Sequence, residues 1–562
     1  MHFFSEKTMP FLIFTFFYST TFGQHTFTIP QNQVIEWSYQ SVKTYEKPFM
    51  DVSIYATVKS PDGNSITIPG YWAGGPHWAF RFSAPDPGIY DFITRCSDPE
   101  NPGLHRQEGS IRVIRYEGDN PLYRNGPLRV SQDKRHLEHL DGTPFFWLAD
   151  SWWHGMTARF KWPEDFKILT ADRKEKGFSV IQFTVGFPCD IAPFDPRGQN
   201  EAGDPWDSAL TTINPAYFDL ADQRIAWLVR QGIVPNIVGA WGYYIKWMGV
   251  ERMRQHWKYL IARYGAYPVT WTLCGESTLA WYDDLGENWE SERNKFRQWW
   301  SLVAKFIQEG DPYNRILTVH PGPGVFDGKP PIDDMDQIDM IMLQSGHDGF
   351  LSIPHAAASV PEALETYPTK PVLHGEVCFE GMKGSSWEDV QRILFWSNML
   401  QGACGFSYGV EGIWQFNTQE QLFGASPGGN TWGNVPWEIA YQYSGSTQVG
   451  KGKKILENFE WWHLEPDQDL IRFANQDAFG PYSARIGDEF VFVYLHRPPA
   501  RWRPYWVQGL EPEIDYQLTF YDPITGDPYS HGPVIASLKG EIRIPEAPIM
   551  QDWVVVLKKN RD

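Results

Sequence analysis

An eight-fold alternation constrains this chain more than any other feature. Between about residues 127 and 450, short apolar runs of strand type take turns with stretches of helical periodicity. FFWLADSW precedes PEDFKILTADRKEKG, and FSVIQFTVGF precedes, after a long loop, PAYFDLADQRIAWLVRQG. IVPNIVGAW precedes VERMRQHWKYLIARYG, and PVTWTLCGE precedes SERNKFRQWWSLVAKFIQEG. ILTVHPG, MDQIDMIMLQSGH with HAAASVPEALETY, PVLHGEVCFEG with WEDVQRILFWSNMLQG, and ACGFSYGVEGIW complete the series. Neighbouring parallel strands cannot be joined by tight turns; each needs a crossover, usually a helix. Eight such units predict an α/β fold, a (β/α)8 TIM barrel.

The flanks lack helical periodicity. VIEWSYQSV, DVSIYATV and HWAFRFSA are broken by PDGN and PDPG turns, which predicts an N-terminal β-sandwich over 25–118. The barrel is assigned to 119–454. DEFVFVYLHRP, IDYQLTFYDP, EIRIP and DWVVVLKK predict a second β-sandwich over 455–562. Residues 1–24 read as a signal peptide: Lys7 precedes an apolar run from Phe11 to Tyr18, too short to span a bilayer. The expectation is an exported protein, periplasmic or secreted. No cysteine sits at the junction to carry a lipid, and no later stretch is apolar enough for a membrane span.

The net charge of −19 disfavours nucleic acid as a partner, because phosphate binding needs clustered Lys and Arg. Aromatic residues make up 16% of the chain, which suits either bulky cores or platforms for sugar rings. The spacing of Cys96, Cys189, Cys274, Cys378 and Cys404 matches no zinc pattern, and no H-E-x-x-H occurs, so neither metal nor cofactor is expected. Cys274, Cys378 and Cys404 lie in apolar runs and are expected as buried free thiols.

In such a barrel the chemistry gathers at the C-terminal ends of the strands. Glu276 ends the fourth strand and Glu376 the seventh, on opposite sides of the mouth. Glycoside hydrolysis needs such a pair: an acid for the leaving oxygen and a carboxylate to attack carbon or activate water. Asp150, Gln344, His347, Glu411 and Trp414 also follow strands, and Trp152, Trp153, His154, Trp241 and Tyr243 lie just beyond strand ends. These are the candidate substrate-binding residues. Glu380 joins them, with loop ordering as its alternative role, and Asp150 could equally cap the segment after it.

Two motifs compete. Gly405-Phe-Ser407-Tyr-Gly409 has the G-x-S-x-G form of a serine esterase, but no helix start follows it. GSTQVGK, from Gly445, nearly matches a phosphate loop, but Gly452 replaces the Ser or Thr. His136 and His139 precede the first strand and read as surface residues.

FFWLADSWWHG, DRKEKGFSVIQF, GEVCFEG, GACGFSYGVEGIWQ and GSTQVGKGKKILENFEWWHLEPDQDLI together resemble the apiosidase-like family of glycoside hydrolases. In that family the barrel is commonly followed by a β-sandwich of the collagen-binding type. HWAFRFSAPDPGIYDF resembles a small sandwich found before some of these barrels. The resemblance implies an exported glycosidase of complex polysaccharide, whose known relatives include an enzyme releasing apiose from a pectin side chain. It also implies Glu276 as catalytic acid and Glu376 as second carboxylate. Two departures stand out: the family pattern has aspartate where this chain has Glu276, and Gly275 stands where many retaining barrel glycosidases place Asn. The expected function is therefore hydrolysis of a plant or algal oligo- or polysaccharide, with retention. The rival readings are a non-catalytic carbohydrate-binding or adhesion protein with a degenerate barrel, and a serine esterase using Ser407.

Overall fold

The computed structural model describes residues 25–279, 281–282, 289–322, 329–473 and 479–560. The signal-peptide reading of 1–24 lies outside them.

The centre of the molecule is one parallel sheet of eight strands. They are β1 (Trp147–Ser151), β2 (Val180–Thr184), β3 (Val234–Val238), β4 (Thr270–Thr272), β5 (Leu317–Thr318), β6 (Ile341–Gln344), β7 (Val372–Glu376) and β8 (Gly405–Tyr408). Their order is β5-β4-β3-β2-β1-β8-β7-β6, so β1 pairs with β8 and the sheet curls into a TIM barrel. The gap between β5 and β6 is bridged just outside the ladder: Asp339 N–H donates to the Leu317 carbonyl (2.8 Å) and Thr318 Oγ1 to the Met340 carbonyl (2.7 Å). Every residue of these strands is buried, which is why they read as unbroken apolar runs rather than alternating ones.

Helices cover the barrel: α1 (Glu164–Glu175), α2 (Pro215–Arg230), α3 (Ile245–Tyr264), α4 (Trp289–Gly310), α5 (Ile353–Thr366), α6 (Glu388–Leu400) and α7 (Ser444–Leu456). In α2, Pro215 opens the helix, where its missing N–H costs nothing, and Phe218, Ala221, Ile225 and Leu228 form the buried stripe. β5 is followed among the described residues by a short 3-10 turn, Met335–Gln337.

Before the barrel, strands 25–30, 108–114, 88–96, 54–59 and 65–69 form one sheet, and 35–40, 77–82 and 71–74 a second. Their facing residues, including Trp37, Phe80 and Phe92, make a separate core. Arg81 joins this sandwich to the barrel: it pairs with Glu36 (2.7 Å) and with Asp222 of α2, which Arg263 of α3 also grips (2.7 Å). After the barrel, a six-stranded and a three-stranded sheet begin at Glu465, beyond the end of α7. Asp552 of that sandwich takes a two-pronged contact from Arg392 of α6 (2.8 and 2.9 Å).

A small three-stranded sheet, 128–130, 137–139 and 144–145, precedes β1. It corrects the surface reading of His136 and His139. Both are buried, and His139 Nδ1 contacts the Gly126 carbonyl (2.7 Å) while its ring packs edge-on against Phe145. All five cysteines are buried and unbonded to one another.

Candidate active site

The C-terminal ends of β4 and β7 bring Glu276 and Glu376 together. Glu376 is 5% exposed, and four side chains reach its carboxylate. Gln344 Nε2 (2.6 Å) and His347 Nε2 (3.0 Å) approach Oε1; Trp153 Nε1 (3.2 Å) and His320 Nε2 (3.4 Å) approach Oε2. These come from the last residue of β6 and from the turns after β6, β1 and β5, so Glu376 is held from several sides of the mouth. Phe379 N–H points at His347 Nδ1 (3.3 Å), which leaves Nε2 as the donor to Glu376. A register shift between Leu343 and Gln344 sets Gln344 opposite Glu376. Such irregularities re-aim one side chain without disturbing the ladder below.

Glu276 is partly exposed and has a left-handed backbone, φ 45°. A glutamate in that region is strained, and such strain gathers at functional sites. Its Oε2 accepts from Trp241 Nε1 (2.9 Å), and its Oε1 from Gln344 Nε2 (3.1 Å). One amide nitrogen therefore touches both carboxylates. Laid end to end, its 3.1 Å and 2.6 Å contacts limit the two Oε1 atoms to at most about 5.7 Å apart.

The same geometry explains Gly275. A Cβ there would meet the Trp241 ring at 2.2 Å. Trp241 and Gly275 form a parallel bridge that extends the β3–β4 pairing, so the indole lies flat over the glycine and aims its N–H at Glu276. The space an asparagine would need is filled by an indole that itself bonds Glu276.

The two carboxylates are driven apart electrostatically. Burial, and then the charge of Glu376, raise Glu276 to about 7. Burial alone would also raise Glu376, but His320 and His347 at its oxygens outweigh that and hold it well below the usual carboxylate range. Glu276 thus holds its proton up to about neutral pH beside a Glu376 that stays ionised, the kind of separation that lets two neighbouring carboxyls take different parts.

Around the pair stand aromatic rings. Trp153 and Trp241 meet at 5.4 Å, and each packs on His320. Further out, Trp281 packs on Tyr243, Trp247 and Tyr282. Tyr282 Oη donates to a third carboxylate, Asp190, whose backbone is also left-handed (φ 54°) and whose pKa is raised by burial.

Of the sequence-derived candidates, Trp153, Trp241, Gln344 and His347 touch the pair. The others turn away from it. Asp150 is wholly buried against Arg173 Nε (2.6 Å) and Trp152 Nε1 (2.8 Å), so it has no oxygen to offer a sugar; nor does it cap a helix. Trp152 is core, packed edge-on against Phe160, Phe166 and Phe416. His154 Nε2 meets the Cys189 carbonyl (2.9 Å), and burial lowers its pKa to about 3. Tyr243 is buried beneath Trp281. Trp414 is buried over His154 and Phe423. Glu411 accepts from the Val435 N–H (3.0 Å) and so ties down the segment after β8.

Glu380 takes the loop-ordering role. It accepts from Tyr408 Oη and from the Gly445 N–H (3.0 Å) at the start of α7. The near-phosphate-loop segment is thus a helix N-terminus that holds a carboxylate of this chain. Ser407 lies inside β8, fully buried, with Trp147 Nε1 donating to its Oγ (3.3 Å), so it forms no exposed nucleophile turn.

The sequence reading passed over His320 and Asp190. His320 was findable, since it follows β5 in ILTVHPG as Glu276 follows β4. Asp190 gave no signal, because only the path of a long loop brings it to Tyr282.

Residues 131–463 match the apiosidase-like catalytic domain family, and residues 28–97 match DUF5060, a domain of unknown function. No curated protein matches the chain. A glycoside hydrolase family 5 protein from Bacteroides vulgatus ATCC 8482 superposes with a TM-score of 0.63 at 21% identity, over 79% of this chain and 95% of its own. A second protein of that organism, assigned to the glycoside hydrolases, reaches a TM-score of 0.68 at 18% identity, over 95% of this chain and 100% of its own. At such identities these likenesses establish the fold. With the catalytic-domain match covering more than half of its length, the chain belongs to the apiosidase-like family and is a glycoside hydrolase.

Proposed function

We propose that this glycoside hydrolase is exported, cleaves a glycosidic bond in a complex plant or algal polysaccharide, and retains anomeric configuration. Glu276 protonates the leaving oxygen while Glu376 attacks the anomeric carbon and forms a glycosyl–enzyme ester. Glu276, now ionised, takes a proton from water, which attacks the same carbon and releases Glu376. The observation that carries this reading is the bridge from Gln344. It limits the two Oε1 atoms to at most about 5.7 Å, near the roughly 5–5.5 Å of retaining pairs and short of the roughly 6.5–9.5 Å that leaves room for water in inverting ones. The opposed shifts of the two carboxylates support the assignment of roles. The aromatic wall around the mouth supports a sugar substrate, and the leader-like N-terminus supports export.

The test is product analysis. The enzyme is incubated with a panel of pectic, hemicellulosic and algal polysaccharides, and the first-formed anomer is followed by proton NMR. Release of a sugar with the anomeric configuration of the bond cleaved is expected. First release of the opposite anomer would reassign Glu376 as a general base, and no hydrolysis across the panel would remove the substrate class.

A further inference from the structure

We propose that the C-terminal sandwich carries a docking surface for acidic polysaccharide, built on the hairpin tip Arg501–Trp502 and the outer face of the three-stranded sheet beside it; this rests on the reading of the protein as a polysaccharide hydrolase. The sequence marks the place. From Phe490 to Leu510 there is no acidic residue, although the chain holds 68 of them and has a net charge of −19. Within that stretch HRPPARWRPYW, starting at His496, carries three arginines and two tryptophans.

The fold holds these side chains out to solvent. Ala500 N–H donates to the Arg503 carbonyl (3.2 Å) and Arg503 N–H to the Ala500 carbonyl (2.9 Å), so Arg501 and Trp502 form the tip of a two-residue hairpin. The residues beneath, Pro498 to Ala500, are buried, and Ala547 N–H donates to the Pro499 carbonyl (3.4 Å). The base is therefore fixed while Trp502 is 73% exposed, a cost that covering the indole would recover. In the sheet of 471–473, 505–507 and 542–543, Tyr505, Val507 and Ile542 are buried, so strand alternation puts Arg472, Trp506 and Arg543 on the outer face. Direct pairing sets Trp506 between the two arginines. The Arg472 guanidinium stacks on the Trp506 ring (4.4 Å) and pairs with Glu541 (3.2 Å). An Nη of Arg543 reaches the Arg501 carbonyl (3.5 Å), which brings the hairpin tip to the end of this row. Arg501 and Arg543 are exposed, and among the described residues neither they nor Arg503 pair with a carboxylate.

The partner chemistry follows from charge complementarity. Exposed arginines without carboxylates, on a strongly acidic chain, select an anion. A guanidinium meets a carboxylate or a sulfate ester through two parallel N–H bonds, and an indole covers the apolar C–H face of a pyranose. A polysaccharide bearing uronates or sulfate esters offers both features; a neutral glycan lacks the first and a free anion the second. The surface is also continuous with the mouth. Phe350, in the turn after β6 and three residues past His347, packs edge-on to Phe479 of the sandwich (6.1 Å), whose ring meets His496 (5.9 Å). Trp502 follows His496 by six residues, a reach of at most about 22 Å. A polymer cleaved between Glu276 and Glu376 would rest a remoter segment on this surface.

The experiment uses full-length protein in the Glu376→Gln background, run in native gels cast with polygalacturonate, alginate, carrageenan or neutral galactan, and in a mobility shift with duplex DNA. Trp502→Ala and the pair Arg501→Gln with Arg543→Gln are compared with the parent, and thermal unfolding is recorded for each. In the active background, KM and kcat are measured on the polymer that is hydrolysed and on an aryl glycoside. Retardation by an acidic polymer and not by galactan is expected, weakened by salt and in both variants. Polymer KM should rise about 2- to 10-fold in Trp502→Ala, while polymer kcat and both aryl glycoside constants stay unchanged. Retardation by polygalacturonate or alginate would support the site with uronate as its anion, and retardation by carrageenan would support it with a sulfate ester. Unchanged retardation or polymer KM in folded variants, equal retardation by galactan, or equally tight binding of DNA would overturn the site and leave the proposed function intact. Retardation lost in the variants, with no polymer hydrolysed by the active enzyme, would uphold the site and overturn the function.

Discussion

Glu376 and Glu380 leave the same short stretch of chain, four residues apart, and both carboxylates are buried. Their surroundings differ in kind. Glu376 faces the mouth, and the side chains at its carboxylate come from the ends of β1, β5 and β6 and the turns after them: Gln344, His347 and Trp153 donate, and His320 lies at 3.4 Å. Glu380 faces the wall, and its donors are a phenol of the adjacent β8 and a backbone N–H of α7. The first arrangement leaves one side open to a second carboxylate, whereas the second is closed by protein. Asp150 repeats the wall arrangement with Arg173 as its counter-charge. Burial of a carboxylate at a strand end therefore does not single it out by itself. What singles out Glu376, and supports the proposed role, is convergence of side chains from distant strands onto a group that still faces its opposite number.

Breaking the mouth side has the largest effect. Glu376→Ala is expected to reduce turnover to the uncatalysed background. Added azide should restore part of it, since a small anion fits the vacated space, and the product should be a glycosyl azide of inverted anomer. Glu380→Ala should leave kcat per folded molecule unchanged. A comparable loss of turnover in folded Glu380→Ala would erase the distinction between mouth and wall.

Glu276→Gln comes next. Loss of a general acid costs about 10²–10⁴-fold on natural linkages. The loss in the bond-breaking step should shrink on aryl glycosides with acidic leaving groups, which need no proton. Equal loss on both in pre-steady-state bursts would show that Glu276 does not protonate the leaving oxygen.

The barrel and the meeting of Glu276 with Glu376 were legible in the sequence because both follow from a repeated local rule. Each parallel strand buried on both faces is a continuous apolar run, and each candidate site group follows such a run. The same rule also selected Asp150, Glu411 and Trp414, and there it failed. It gives position along a strand but not the direction of the side chain, which is set by partners far off in sequence. Arg173 lies on α1 and Val435 in a loop after β8, and neither pairing leaves a trace in local pattern. Gly275 shows the converse. It read as a missing asparagine, and only the packed structure reveals that the Trp241 ring occupies that space.

The wall side can be sharpened through stability. Burial raises Glu380 from 4.5 to about 7, so the folded state holds its proton across that interval while the unfolded chain does not. A group of this kind makes stability fall as pH climbs from about 4.5 to 7, and the fall levels off above the folded value. Glu380→Gln cannot titrate, and its amide can accept from Gly445 and donate to Tyr408. Chemical denaturation at several pH values should therefore show a flatter profile for the variant, by about 3 kcal/mol across the interval. Parallel profiles would mean that Glu380 is ionised in the fold throughout.

The smallest effect expected is that of a single indole proton. In the proposed mechanism Glu276 must be protonated, so the alkaline limb of the kcat/KM profile should fall as pH rises through about 7. Trp241 N–H bonds the carboxylate and favours its ionised form, opposing the burial that raises its pKa. Trp241→Phe removes that proton and keeps a ring over Gly275. The pKa of Glu276 should then rise further, moving the alkaline limb upward by about one unit, since a hydrogen bond to a charged group contributes about 1.5 kcal/mol. Trp152→Phe is the matched control, because Trp152 makes the same kind of bond to Asp150 in the wall (2.8 Å). It should move no limb. A downward move in Trp241→Phe would show that the indole supports the protonated acid, and an equal move in Trp152→Phe would show that the wall is electrically part of the mouth.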